Sequence, residues 1–255
     1  MAAKPRSKAP AKKKRATKPK KKPPLSTDAY LKAVRELAPK DHDGEFASFS
    51  DMTFAPVEEY LSTGVFALDK LLGGGWPIGR MVELAAWEGI GKSTLLDQSI
   101  AYTQSLGGKC ALIDTESARH VEYMKQLGVD LDTLMRVRVD TVEGCFQAIE
   151  LLLTAQEQSA TAHELSPLLI VWDSIGSTPT MAEIAGSADD AHMMVAARNI
   201  KMNLRRIHNR LYRCRASLVC ANHFYKSPGR GFTTLETYGG SGLKYVPSFR
   251  LRLVE

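Results

Sequence analysis

The segment Ala86-Trp87-Glu88-Gly89-Ile90-Gly91-Lys92-Ser93-Thr94 sets two glycines, a lysine and two hydroxyls at the point where an apolar stretch gives way to a helical one. That combination suits the binding of a polyphosphate. Gly89 and Gly91 let the backbone curl so that successive N–H groups face phosphate oxygens, and the start of the following helix adds partial positive charge. Lys92 is placed to reach the β- and γ-phosphates, and the Ser93 hydroxyl to ligate Mg²⁺. The ligand this implies is ATP with Mg²⁺. Ala86 stands where the pattern usually has its first glycine, a position that turns the chain rather than touching phosphate. Gly-Lys-Ser alone also occurs in ordinary loops; the strand–loop–helix setting favours the phosphate reading.

Two acidic segments follow. Leu168–Asp173 is an apolar run ending in an aspartate, 81 residues after Lys92. An acid at such a strand end sits beside the phosphate loop and holds Mg²⁺ through water, although apolar strands ending in Asp are common by themselves. Ile113-Asp114-Thr115-Glu116 closes another strand with two acids. A carboxylate there can polarise the water that attacks the γ-phosphate; the alternative is a helix cap with acids near the dipole.

The elements that position these residues alternate. Strands are expected at Arg80–Ala85, Lys109–Asp114, Leu134–Val139, Leu168–Asp173, Ala216–Ala221 and Phe249–Val254. Helices are expected at Ser93–Ser105, Val121–Leu127, Val142–Gln156 and Ala191–Tyr212. This predicts an α/β fold, with a mostly parallel twisted sheet and helices on both faces. Ahead of it, Ser26 caps a helix over Thr27–Leu37, and residues 40–60 carry two aromatic pieces, Phe46–Phe49 and Met52–Phe54. That leading segment is too small to fold alone.

Charge is unevenly spread. The 255 residues carry a formal net charge of +6, but residues 1–22 hold eleven Lys/Arg and no acid, leaving 23 basic against 28 acidic residues elsewhere. Residues 1–24 read as a disordered basic tail, either a non-specific phosphate-binding arm or a solubilising or localisation tail. No apolar run is long enough to cross a membrane as a helix, so no membrane partner is expected. The four cysteines form no C-x-x-C pair and suit a reducing cytoplasm better than a disulfide framework.

In order and content, these segments resemble the RecA family of recombinases over roughly residues 44–255. Leu61-Ser62-Thr63-Gly64-Val65-Phe66-Ala67-Leu68-Asp69, then Gly73-Gly74-Gly75-Trp76-Pro77-Ile78-Gly79-Arg80, is similar to that family's entry into its core. Leu127-Gly128-Val129-Asp130 also matches. The most diagnostic stretch runs from Ala182-Glu183-Ile184-Ala185-Gly186 through Asp190-Ala191-His192-Met193 to Arg198, and is similar to the family's first DNA-binding loop and the helix after it.

The resemblance implies a RecA-like phosphate-loop NTPase core over residues 61–255, preceded by an oligomerisation segment at 25–60 and the basic tail. It implies that Glu116 is the catalytic carboxylate, assisted by Lys92, and that Tyr123 stacks on adenine, its alternative being a core-edge aromatic. His223, after Asn222, falls where the family senses the γ-phosphate; a solvent-bonded strand-end histidine is the alternative. Met193, Arg198, Lys201 and Arg205 would meet DNA from the first loop region, about 182–193, and its helix. The latter three also read as an ordinary solvated basic face. Lys226, Arg230, Gly239 and Gly240 belong to the second DNA-binding loop, about 224–240, which ordering by nucleotide would switch on. Lys244 and Tyr245 would reach a neighbouring subunit's ATP, and Phe46 and Phe49 would add a strand to that neighbour.

The implied function is DNA-dependent ATP hydrolysis to ADP and phosphate. It would drive a helical filament on single-stranded DNA that pairs with homologous duplex DNA and exchanges strands, with single-strand-binding and loader proteins as further partners. A ring-shaped helicase or motor, or a short paralogue that mediates recombination, are the competing readings. Relative to the family pattern, the later segment with its duplex-gathering domain is expected to be absent after Glu255, with the basic tail in its place.

Overall fold

A computed structural model describes residues 26–37, 39, 59–159, 166–186, 190–228 and 233–254. The basic tail, Phe46, Phe49 and Arg230 lie outside the described residues. The chain forms two units, Met1–Pro56 and Val57–Glu255. In the first, helix α1 spans Thr27–Leu37, as its apolar spacing predicts. The Ser26 hydroxyl accepts from the Ala29 amide at 3.3 Å, the expected N-cap bond. None of the helix's residues is buried, and Tyr30 and Leu37 are largely exposed.

The second unit begins with β1 (Tyr60–Leu61), α2 (Phe66–Leu72), β2 (Trp76–Pro77), β3 (Met81–Ala86), α3 (Lys92–Ser105), β4 (Lys109–Asp114), α4 (Val121–Gln126), β5 (Met135–Val137) and α5 (Val142–Ser159). It continues with β6 (Leu168–Asp173), α6 (Met181–Ala185), α7 (Asp190–Arg213), β7 (Ala216–Pro228), β8 (Thr233–Thr237), α8 (Gly240–Tyr245) and β9 (Phe249–Arg252). The main sheet has the order β5-β4-β6-β7-β3-β9, every neighbouring pair parallel, with β8 added antiparallel to β7. The strands of β3 and β6 are buried along their whole length, as continuous apolar runs require when helices cover both faces.

Alternate residues therefore serve two cores. Ile113, Ile170, Trp172 and Leu218 pack under α5 and α7 with Phe146, Ile149, Ile207 and Leu211. Val82, Leu84, Leu112, Val171 and Val219 pack against α3 through Leu96 and Ile100. The large rings are fixed by polar ties as well as by area: Trp172 Nε1 donates to Thr178 Oγ1 at 3.1 Å, and Trp76 Nε1 to Ser99 Oγ at 3.0 Å.

Three expectations change. The strand expected at 134–139 is only Met135–Val137, an edge strand paired on one side along Ala111–Ile113. The last strand stops at Arg252, where the pairing with β3 ends. Most consequentially, residues 224–240 are not one irregular stretch. β7 runs on to Pro228 and pairs antiparallel with β8, with Phe224 opposite Thr237 and Pro228 opposite Thr233. Phe224, Tyr225, Thr233, Thr234 and Thr237 supply the β-branched and aromatic residues that favour such a hairpin.

Candidate functional site

The parallel sheet brings the C-terminal ends of β3, β4, β6 and β7 to one edge, and the chemistry-bearing residues follow those ends. Ala86 is the last residue of β3, in register with His223 of β7. It lies in extended strand, so a methyl group there is accommodated in place of a glycine. Gly89 and Gly91 have φ of +77° and +94°. A Cβ at either would meet nothing within 4 Å. The glycines are therefore required by backbone conformation, not by crowding. Trp87, Glu88 and Gly89 are exposed, Ile90 and Thr94 half-buried. The α3 N-terminus has Gly91 as its N-cap and no side-chain cap bond, so its amides remain to serve an anion.

Lys92 is buried, and its Nζ donates to the carbonyls of Trp87 at 3.0 Å and Ala86 at 3.3 Å. Burial lowers its pKa, while Asp173, Glu116 and Glu88 pull the other way. The ammonium is thus folded back on its own loop.

Ser93 Oγ donates to Asp173 Oδ2 at 2.7 Å, joining the two residues expected to serve the metal. Asp173 is 3% exposed, and its Oδ1 is buried without a hydrogen-bond partner among the described residues. A hydroxyl beside a carboxylate with one idle buried oxygen is a hard-oxygen set that fits Mg²⁺. Among the described residues no group of three or more His, Cys, Asp or Glu could hold a metal alone, so phosphate and water oxygens would complete the shell.

Arg119, which sequence reasoning missed, is central here. Its guanidinium donates to Asp173 Oδ2 at 2.7 Å, to the Ser93 carbonyl at 3.1 Å and to Asp97 Oδ1. The side chains of all three charged residues are at least 92% buried. Burial pushes the Asp97 carboxyl up to about 6; Arg119 opposes this, and Asp173 and Asp114 add to it. One cation serves two buried acids. The signal in the sequence is Asp97 itself, a charge between Leu96 and Ile100, the two large apolar residues that α3 buries.

Glu116, just past β4, accepts three hydrogen bonds on Oε1: from Ser174 Oγ at 2.6 Å, Ser177 Oγ at 2.7 Å and His223 Nε2 at 2.8 Å. Burial pushes its carboxyl up, but the bonds from Ser174, His223 and Ser177 outweigh this and hold it at about 2. A carboxylate held this way is ionised and oriented, and becomes an effective proton acceptor only as those donors let go. The two serines, unremarked in the sequence, lie one and four residues after Asp173 on the turn after β6. Lys92, Ser93, Asp173, Glu116 and His223 thus meet at one sheet edge.

The remaining candidates lie elsewhere on the unit. Tyr123 is exposed on α4, whose N-cap is His120. Arg198, Lys201 and Arg205 are exposed along α7, and Lys226 is exposed on β7. Met193 is the fourth residue of α7, its side chain outside the described residues. Gly239 and Gly240 have φ of +91° and +61°. A Cβ on Gly240 would come within 2.8 Å of Ala197 Cβ, so close packing on α7 also demands glycine there. Lys244 of α8 pairs with Glu236 of β8 at 2.6 Å, and Tyr245 is 82% exposed.

Comparison with known proteins shows the family. The family described as RecA N-terminal domain matches residues 33–255. The chain is 34% identical over 221 residues to Protein RecA of Saccharopolyspora erythraea, covering 86% of this chain and 61% of that protein. It is 35% identical over 221 residues to Protein RecA of Streptomyces venezuelae (86% and 56%), and 39% identical over 194 residues to that of Helicobacter hepaticus (75% and 54%). The chain thus spans between 54% and 61% of the length of these three relatives. With the loop at residues 86–94, Asp173 and the Glu116 cluster all at one edge of a parallel sheet, and the family match running over 33–255, this chain belongs to the RecA family.

Proposed function

We propose that the chain is an ATP-dependent DNA recombinase. It would assemble as a helical filament on single-stranded DNA, promote pairing and strand exchange with homologous duplex DNA, and hydrolyse ATP to ADP and phosphate in a DNA-dependent way. One observation supports this most strongly. His223 contacts Glu116 and is also the residue just before the hairpin half of β7, so the hydrolytic carboxylate and the candidate DNA-binding hairpin share a side chain.

The steps follow from the residues. The loop amides at Gly89–Ser93 and the Lys92 ammonium would bind the β- and γ-phosphates, Lys92 exchanging its carbonyl partners for phosphate oxygens. Ser93 and Asp173 would hold Mg²⁺, which supplies charge neutralisation on the phosphates. Glu116 would orient the attacking water and take its proton, and His223 would sense whether a γ-phosphate is present. Arg198, Lys201, Arg205 and Lys226 would meet the DNA backbone. Tyr123 would stack on adenine, and Lys244 with Tyr245 would face a neighbouring copy.

The test is ATP turnover with and without single-stranded DNA, in the parent chain and in Glu116→Gln. DNA-stimulated turnover in the parent, with DNA binding but turnover at least about 10²-fold lower in the variant, is expected. Equal turnover in both would remove Glu116 from its role, and absence of DNA stimulation in the parent would remove the reading.

A further inference from the structure

A cavity of about 490 Å³ opens between the turn after β6, the first half of α7 and the β7–β8 hairpin. That volume is in the range of small-molecule sites, about 300–1,000 Å³. Its wall is mostly apolar, with Ile175, Ala197 and Ile200, and it carries two aromatic rings, Tyr225 and Tyr238.

The hairpin register explains the rings. Tyr225 stands opposite Glu236, and Tyr238 lies two residues further on, so the two share a face as a diagonal pair. Their centroids are 4.9 Å apart at an interplanar angle of 47°. Tyr238 is 39% exposed although it lines a concave wall. Its backbone is fixed from below: Asn222 Nδ2 donates to the Tyr238 carbonyl at 2.9 Å and to the fully buried Glu83 at 2.8 Å. A Cβ on Gly176 would also come within 3.3 Å of the Tyr238 ring.

Charge narrows the occupant. Arg198 and Lys201 are exposed on α7, and Lys226 is exposed on the hairpin. Two of the carboxylates around the cavity, besides Glu116, are already engaged. Glu183 accepts from the Thr180 amide and hydroxyl at 2.5 and 3.0 Å, and Glu236 pairs with Lys244. An apolar slot with aromatic rings, flanked by exposed cations and with its nearby acids hydrogen-bonded or ion-paired, fits a flat heterocycle carried on a polyanion.

We propose that Tyr225 and Tyr238 form a stacking platform for a base of single-stranded nucleic acid, with Arg198, Lys201 and Lys226 on the flanking phosphates. This rests on the recombinase reading and adds a base-dependent, sequence-tolerant component to its phosphate contacts. The platform also adjoins the hydrolytic cluster: Ser177 lines the cavity and donates to Glu116 Oε1. A base entering the slot therefore meets the same turn that holds the carboxylate.

The experiment compares two oligodeoxynucleotides of equal length and charge, one of thymidines and one of abasic sugar-phosphates. Binding to the full chain is read by fluorescence anisotropy with Mg²⁺ and a non-hydrolysable ATP analogue. The parent should bind the base-bearing strand at least about tenfold more tightly, the lower part of the range for one stacked base. Y225L/Y238L should reduce that preference to about twofold or less with the salt dependence unchanged, and Y225F/Y238F should restore it. Arg198→Ala should weaken both strands alike and lower the salt slope by about one. Equal binding of the two strands by the parent, or a preference that survives Y225L/Y238L, overturns the platform and leaves the recombinase reading standing. Binding of neither strand by the parent would instead remove that reading. Should the leucine variant fail to fold by thermal melting, the parent's two affinities decide alone.

Discussion

His223 Nε2 stands 2.8 Å from Glu116 Oε1, across a separation of 107 residues. The same nitrogen is 3.0 Å from Ser174 Oγ. The imidazole therefore closes a polar cluster around the Glu116 carboxylate while its own backbone leads into the hairpin. In His223→Ala the carboxylate keeps its two serine donors but loses its tie to β7. The expected result is a ratio of DNA-stimulated to unstimulated ATP turnover near one, measured at saturating ATP. A ratio equal to the parent's would show that the hairpin signals by another route.

The buried trio of Arg119, Asp97 and Asp173 makes a stability prediction. In Arg119→Leu two carboxylates lose their shared cation in a site from which water is excluded. The expected loss is about 3–5 kcal/mol in urea unfolding without metal or nucleotide. The double variant Asp97→Leu with Arg119→Leu removes one carboxylate together with the cation and should recover about half of that loss, Asp173 still lacking its partner. A single variant as stable as the parent would mean that solvent reaches the trio in solution.

Asp97 also sets a pH dependence. Its folded pKa, about 6, lies above the ordinary value of 3.8, so the folded state binds a proton that the unfolded chain releases. The associated stability is present below about pH 4 and is lost as pH rises through 6. Asp97→Asn cannot titrate. Relative to the parent, its unfolding free energy should improve progressively between pH 4 and 6 and hold a constant difference above that. A difference that does not vary with pH across this window would show that Arg119 keeps Asp97 ionised throughout.

Two glycine substitutions should separate conformation from packing. Gly89→Ala adds a methyl into open space at φ +77°, so folding should suffer by about 1–2 kcal/mol while nucleotide affinity falls as the loop recoils. Gly240→Ala places Cβ within 2.8 Å of Ala197 Cβ at φ +61°, combining strain with overpacking, about 2–4 kcal/mol in all. Equal melting temperatures for the two variants would contradict that distinction.

The sequence alone determined the strand–helix alternation, because buried parallel strands must be continuous apolar runs and their covering helices amphipathic. Lys109–Asp114 and Leu168–Asp173 were legible residue for residue. The tight turn into α3 was equally legible, since the positive φ of Gly89 and Gly91 is a matter of local backbone geometry. The tertiary structure alone decided what depends on strand order. Placing β4 beside β6 and β6 beside β7 brings Glu116, Ser174 and His223 onto one oxygen, and no spacing along the chain encodes that meeting. The Asp97–Arg119–Asp173 trio and the Tyr225–Tyr238 pair have the same origin. Each joins residues whose separate identities are unremarkable, and burial or cross-strand register gives them their chemistry.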